Sequence, residues 1–538
     1  PKKSILNTIL DTRGFLSEEE QNQFLNPPPA SYWVKNLPKE LLVSLKNSRD
    51  LVKETMKLNK YIIIHGDYDV DGICATAILY TTIAKELGYD KVQTFIPNRF
   101  EHGYGLSEKS IHASLGTIDE EKVEDGVLFI TVDSGITSEK ETKILKEMGH
   151  SVIITDHHQK ASSLPEADAI VWYDQVVGAT LSWLLARAIG SKREDFFAYL
   201  ALATVTDIQP VKNFNRTLVS EGLKVLNSNP PVGIRELLNI AGKKNNELTT
   251  YDLGWVIGPR LNASGRVIDA GVSLSLLIED SQEKAKDLAW ELNQVNSQRQ
   301  DKTMEMYELA AGFEGHEIPK IIISHHENYH EGIIGLVASR LVQKYYRPAI
   351  VISTGDITAK GSVRSIPGYN VIESLRERED LFISLGGHPM AAGFSIEKDK
   401  IPSLEKYVNE TMGETLTSDL LVKTLEIDIE IPISSVTLSL LEELNALRPF
   451  GLGNPNPVFC SKNLGVVSVS YVGKEQRHLM LKLTDGDNFY KGIMFNALDF
   501  NIDLVSGDRI DIVYTLNRNE FNGKISVDLF LKDIKKVE

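Results

Sequence analysis

The chain has two cysteines, Cys74 and Cys460, in 538 residues. Two thiols so far apart supply neither a disulfide framework nor a thiolate metal cluster. No apolar run approaches the ~20 residues that a membrane helix needs. The opening Pro1-Lys2-Lys3-Ser4-Ile5 lacks the apolar stretch and small-residue cleavage site of a secretory signal. The turn from Gly361 to Pro367-Gly368 lacks the Gly-Lys-Ser/Thr of a phosphate-binding P-loop. No internal repeat is evident. These absences lead us to expect a cytoplasmic protein with no membrane partner.

Positive charge is also short: the formal net charge is −16. The deficit lies in the first 449 residues, because from Phe450 onward eleven Lys/Arg face eleven Asp/Glu. Bulk charge of this sign repels nucleic acid, so a polyanionic substrate would have to be gripped by local basic groups or by metal. An acidic excess is also what a site for divalent cations requires. Charge alone does not separate the two causes.

The length predicts three or four domains at about 150 residues each. Residues 1–58 read as a polar helical extension broken at Pro27-Pro28-Pro29. From 59 to 277 apolar β-rich runs (Tyr61–Ile64, Val92–Ile96, Val127–Val132, Val152–Thr155, Ala169–Trp172) alternate with helical stretches. That alternation predicts an α/β domain with a doubly wound parallel sheet, whose ligands gather beyond the carboxyl ends of its strands. Residues 278–315 form a polar stretch with few breakers, a connecting helix. A smaller α/β unit follows at 316–420. Residues 423–538 hold five or so short runs split by Thr484-Asp-Gly-Asp487 and Asn522-Gly523, which suggest a C-terminal β-barrel of the OB type.

The chemistry sits where the predicted strands end. After Ile64 comes His65-Gly-Asp67-Tyr-Asp69-Val-Asp71-Gly72; after Val132, Asp133-Ser-Gly135; after Thr155, Asp156-His157-His158. Asp207 closes the helix that contains Ala203. Singly, an Asp-rich loop before a helix is often just an N-cap, and Asp-His-His is often a turn. Three such motifs on the ligand side of one sheet point to metal. Carboxylates and imidazoles without thiolates suit Mn²⁺ or Mg²⁺ better than Zn²⁺. So many carboxylates would repel unless compensated, which argues for two divalent cations, an arrangement that can clamp a phosphoryl group.

Arg99, Arg260, Arg266 and Arg364 lie in Gly/Pro-rich segments, where a guanidinium fork is suited to phosphate. His325-His326 with His330 looks metal-like but has no carboxylate set beside it, and reads as a polar loop. Tyr471, Tyr490 and Phe521 are base-stacking candidates on the barrel, or members of its core.

The three strand-end motifs resemble those of the DHH phosphoesterase superfamily. Gly386-Gly-His388-Pro-Met-Ala-Ala-Gly393 resembles that superfamily's associated C-terminal domain (DHHA1). Gly258-Pro-Arg260-Leu-Asn262-Ala-Ser-Gly265-Arg266 and Arg448-Pro-Phe450-Gly-Leu-Gly453-Asn454-Pro455, with the barrel, narrow the likeness to the superfamily's single-stranded-DNA exonucleases. The resemblance runs from Leu58 to the C-terminus. It implies one cation on His65, Asp69 and Asp133, and a second on Asp71, Asp133, His157 and Asp207. Asp133 would bridge the two, His158 would face the scissile phosphate, and Asp67 and Asp156 would support the ligands. Ser362, Arg364 and the Gly387-His388 loop would take the terminal nucleotide, while Arg99, Arg260, Asn262 and Arg266 line the groove. The activity so implied is 5′→3′ degradation of single-stranded DNA to mononucleotides in repair and recombination, beside a single-strand-binding protein and a helicase. The alternatives are a phosphodiesterase for short oligonucleotides or cyclic dinucleotides, and a catalytically silent DNA-binding scaffold.

Overall fold

Five apolar runs between residues 62 and 172 assemble into one parallel sheet in the computed structural model of the chain, which describes residues 4–103, 105–243, 247–313, 317–497, 502–521 and 523–537. The strands are β1 (Ile62–His65), β2 (Val92–Phe95), β3 (Leu128–Val132), β4 (Ser151–Asp156) and β5 (Ala169–Trp172), in the order β2-β1-β3-β4-β5. Every pairing is parallel. The strands read as unbroken apolar runs because both faces are covered. Ile62, Ile64, Ile130 and Val132 face helices Val70–Tyr80, Gly178–Ile189 and Phe196–Thr206. Ile63, Phe129, Val152 and Ile154 face helices Glu108–Leu115 and Glu139–Glu147. Strand order reverses between β1 and β3, so a crevice opens beyond their carboxyl ends, where such sheets hold ligands.

Within the polar stretch 278–315, expected as a connecting helix, one helix ends and a long one begins. Helix Gly271–Ile278 stops, and Ser281 caps a new helix, Gln282–Ala310, by accepting from the Lys284 N–H. Its 29 residues span about 44 Å at ~1.5 Å each. It leads to a second sheet, ordered β6-β7-β8-β10-β9: β6 (Ile322–His326), β7 (Ala349–Thr354), β8 (Thr358–Arg364), β9 (Phe382–His388) and β10 (Ala391–Glu397). Only β6 and β7 pair in parallel. Short β11 (Ile429–Glu430) then leads to β12 (Phe459–Val472), β13 (His478–Thr484), β14 (Phe489–Met494), β15 (Arg509–Phe521) and β16 (Lys524–Lys536). Pairing of β12 with β15 closes the last five into a barrel, as expected.

The first helices do not form a unit of their own. Ile9, Leu10 and Phe24 are buried in the barrel's core, whereas Leu41, Leu45 and Val52 of helix Lys39–Lys57 join the core of the parallel-sheet domain. The two halves meet at Arg216, buried on helix Asn213–Ser228. Its guanidinium donates to the carbonyls of Phe24, Ala446, Leu447, Arg448 and Pro449 at 2.7–3.2 Å and lies 4.0 Å from the Phe24 ring. The Val211 N–H bonds Leu452 O, and the Thr250 hydroxyl bonds Phe450 O. The segment before the barrel is thereby fixed against the parallel-sheet domain.

Candidate metal centre and phosphate-facing wall

The Asp-rich loop after β1 is folded by its own side chains. Asp69 caps helix Val70–Tyr80, accepting from the N–H groups of Asp71 (2.9 Å) and Gly72 (3.1 Å), and the Val70 N–H donates to Asn262 Oδ1 at 3.2 Å. A Cβ at Gly72 would lie 2.6 Å from Asp67 O, so only glycine lets the loop close. After β3 the chain turns through Asp133 at φ 59°, a left-handed conformation unusual for a non-glycine residue. Helix Gly178–Ile189 starts so close that a Cβ on Gly178 would sit 2.7 Å from Asp133 Cβ. Its first N–H groups, on Gly178 and Ala179, each donate to Asp71 at 2.7 Å. The positive end of that helix therefore faces the Asp71 side chain. At the end of β4, Asp156 accepts from the Ile136 and His158 N–H groups and bonds His158 Nδ1 at 2.7 Å.

These elements bring the carboxylates together. His157 Nε2 lies 3.1 Å from Asp133 Oδ1, 3.5 Å from Asp71 Oδ2 and 3.8 Å from Asp207 Oδ2. Three overlapping sets each place their ligand atoms within 4.8 Å of one another: Asp71, His157 and Asp207; Asp133, His157 and His158; and Asp67, Asp69 and Asp133. His65 falls outside them. Its Nε2 bonds Ser110 Oγ at 3.0 Å, its Nδ1 is buried with no hydrogen-bond partner among the described residues, and Asp67 stands in the set with Asp69 and Asp133.

The electrostatics fit divalent cations. Burial, then the neighbouring carboxylates, pushes Asp133, Asp67 and Asp69 above the usual range and Asp207 up to about 7. Burial holds His157 low and His65 down at about 4, so both imidazoles are neutral and free to ligate. Buried Asp133 Oδ1 accepts no hydrogen bond among the described residues. Hard oxygen donors, neutral imidazoles and uncompensated negative charge are the donor set of Mn²⁺ or Mg²⁺. His158 behaves oppositely. Burial opposes its charge, yet the hydrogen bond and charge of Asp156, helped by Asp207 and Asp71, raise it to about 9. It is an imidazolium at neutral pH.

A wall of arginines lies beside the carboxylates. Arg99 stacks over the Tyr68 ring at 5.0 Å. Burial, then repulsion from Arg99, Arg299 and Arg364 among its neighbours, lowers Arg266 to about 10. Arg364 bonds Ser362 Oγ (3.0 Å) and Val363 O (2.8 Å). A Cβ on Gly335 would lie 2.9 Å from Arg364 Nη2 and 3.0 Å from Ser362 Oγ, so glycine opens helix Ile334–Tyr345 to this pair. Arg364, Ala391 and His388 occupy one row across β8, β10 and β9, with Gly387 in the adjoining row and the His388 side chain exposed. Arg99, Arg266, Arg364 and Ser362 thus come together. Arg260 and Asn262 are partly spent inside the protein: Arg260 bonds Asn293 Oδ1 and Val256 O, and Asn262 holds the Asp-rich loop.

Sequence reasoning missed Arg299, which lies on the connecting helix with no glycine or proline beside it. It also missed the Gly178-Ala179 cradle, whose small-residue helix start was the available signal. His325 pairs with Glu405, His326 accepts from the Asn328 N–H, and His330 meets Phe100 edge-on; none joins a metal-type set among the described residues. On the barrel, Tyr490 packs against the core and bonds Asp485, Tyr471 is exposed, and the Phe521 side chain lies outside the described residues.

The parallel sheet, its strand-end carboxylates and the second α/β unit define a phosphoesterase of the DHH class. The model "DHH family, N-terminal domain" matches residues 61–202, "DHHA1 domain" matches 319–414 and "RecJ OB domain" matches 427–533. The single-stranded-DNA-specific exonuclease RecJ of Bacillus subtilis is 32% identical over 98% of this chain and 67% of its own length. That of Salmonella typhimurium is 30% identical over 93% of this chain and 91% of its own. The crystal structure of RecJ in complex with Mn²⁺ from Thermus thermophilus superposes with a TM-score of 0.82 at 28% identity, covering 99% of this chain and 76% of that one. The chain belongs to the RecJ family.

Proposed function

We propose that this protein is a two-metal 5′→3′ exonuclease that degrades single-stranded DNA to mononucleotides. The observation that carries the reading is the meeting of Asp69, Asp71, Asp133, His157 and Asp207 at one sheet rim, beside a wall of arginines, in a chain whose relatives are named for that activity. Asp71, Asp133, His157 and Asp207 would hold one divalent cation. Asp69 and Asp133, with His65 or Asp67, would hold the other. Bound Mn²⁺ or Mg²⁺ supplies an activated water and neutralises charge at the phosphodiester.

The protein's own groups do the rest. Asp156 keeps His158 protonated and oriented, so that it donates to the charge developing on the phosphate or to the leaving oxygen. Arg99, Arg266, Arg364 and Ser362 hold the terminal phosphate, with Gly387-His388 at the edge of that pocket. Arg260 and Asn262 line the approach. Residues 59–277 form the catalytic domain, 316–420 the end-recognition domain joined by the 278–315 connector, and 423–538 a DNA-binding barrel, with 1–58 bracing two of them. We place the protein in the cytoplasm, in repair and recombination, beside a single-strand-binding protein and a helicase.

A long 5′-labelled single strand and its duplex, each with Mn²⁺, test the reading. Labelled mononucleotide from the single strand alone is the expected result. Cleavage confined to two- to five-mers, or no cleavage of any substrate, contradicts it.

A further inference from the structure

Two aromatic side chains that the chemistry above leaves unused stand side by side in water. Tyr251 is 63% exposed and Trp255 69%, and their rings stack with centroids 6.2 Å apart at 24°. The helix that carries them takes one π-turn, Leu253–Ile257, before entering helix Gly258–Val267, the helix of Arg260, Asn262 and Arg266. A π-turn offsets side chains from the regular helical rows and is frequent at functional sites. Large aromatics left exposed together mark an interaction surface.

Their surroundings say what the surface meets. Both rings line a cleft of about 840 Å³. At one end the cleft reaches Thr206 and Ile208, on either side of Asp207; Arg266, Arg299 and Arg340 line it as well, and Phe450 and Pro455 come from the segment that Arg216 clasps. The cleft therefore reaches both sequence neighbours of Asp207 and Arg266 of the arginine wall, and among its described lining residues are three arginines and no acid, in a chain of net charge −16. Guanidinium groups and exposed aromatic planes lining one cleft are complementary to a phosphate backbone with unpaired bases, whose faces stack on aromatic rings whatever their sequence. A duplex hides those faces.

We infer that Tyr251 and Trp255 form a stacking platform for the unpaired nucleotides that follow the one being cleaved, while Arg299 and Arg340 hold the phosphates between them. This rests on the proposed single-strand nuclease activity and adds to it a determinant of strand selectivity outside the metal centre. The platform keeps the strand in register between cuts, so substrates long enough to reach it bind more tightly than a dinucleotide.

The test uses the full chain. Binding of a fluorescent 5′-phosphorylated dT15 is measured in EDTA for wild type, Trp255→Ala, Tyr251→Ala and Trp255→Phe, so that it does not depend on turnover. Hydrolysis of the dinucleotide pTpT with Mn²⁺ is measured in parallel. Because the rings are exposed, these variants should fold as wild type, which circular dichroism checks. The expected result is a loss of dT15 affinity of about tenfold or more for Trp255→Ala. A smaller loss is expected for Tyr251→Ala, recovery for Trp255→Phe, and unchanged pTpT turnover throughout. Wild-type affinity in both alanine variants would overturn the inference and leave the rings to some other partner, such as a protein. Equal losses on dT15 and pTpT would overturn it as well, by making the pair structural. A wild-type chain that binds dT15 but cuts no DNA would defeat the proposed activity and still let the binding arm decide the platform.

Discussion

The rim and the wall are opposite in sign and alike in design. At the rim, Asp67, Asp69, Asp133 and Asp207 are pushed toward the protonated form by burial and by one another. At the wall, Arg266 and Arg364 are pushed toward the neutral form by burial, and Arg266 also by its arginine neighbours. Carboxylates and guanidiniums this near each other could have paired. Instead the helix Gly178–Ile189 takes Asp71, His158 takes Asp156, and Arg266 reaches only Gly332 O at 3.4 Å among the described residues. In the proposed function this uncompensated charge serves ligands: cations on one side, phosphate on the other.

The largest expected break is at the rim. Asp133→Asn removes the shared ligand and should lower mononucleotide release by about a thousandfold or more, while dT15 still binds; a gel assay and anisotropy check both. Next come two buried arginines with opposite fates. Arg216, whose five carbonyl partners are internal, should cost on the order of 3 kcal/mol of stability when changed to Ala, read by thermal unfolding. Arg266→Ala should leave unfolding almost unmoved, yet weaken strand binding roughly 10- to 100-fold and flatten its salt dependence by about one counterion. If Arg266 also proved a stability residue, the contrast between charge spent inside and charge kept for a ligand would fail.

The smallest effect concerns pH. An aspartate whose folded pKa lies above its unfolded value binds more protons folded than unfolded between the two. The chelated protein should therefore lose stability as pH rises from about 4 through the value near 7 held by Asp207. Mn²⁺ relieves that repulsion, so the rise in Tm on adding it should be larger at pH 8 than at pH 5.5. Equal shifts at both pH values would say that the rim is already compensated.

How much of this could be read from the chain follows from what each feature depends on. The parallel sheet and its reactive rim were legible, because β1, β3 and β4 are apolar runs that end in, or run directly into, Asp or His. The barrel was legible from short strands split by turns. Partners supplied by remote segments were not. Nothing near Arg216 marks it as the clasp for five carbonyls, and Ile9, Leu10 and Phe24 look like sparse apolar residues in a polar leader until the barrel covers them. The resemblance assigned His65 to one cation; in the structure Ser110 bonds its Nε2, and Asp67 stands in the set with Asp69 and Asp133, an arrangement that depends on how the loop after β1 closes on Gly72.

Anomalous scattering from crystals soaked in Mn²⁺ tests the central claim most directly. Two peaks sharing Asp133 are predicted, one also touching Asp71, His157 and Asp207 and the other touching Asp69 with His65 or Asp67. A single peak, or manganese bound away from Asp133, would contradict the account.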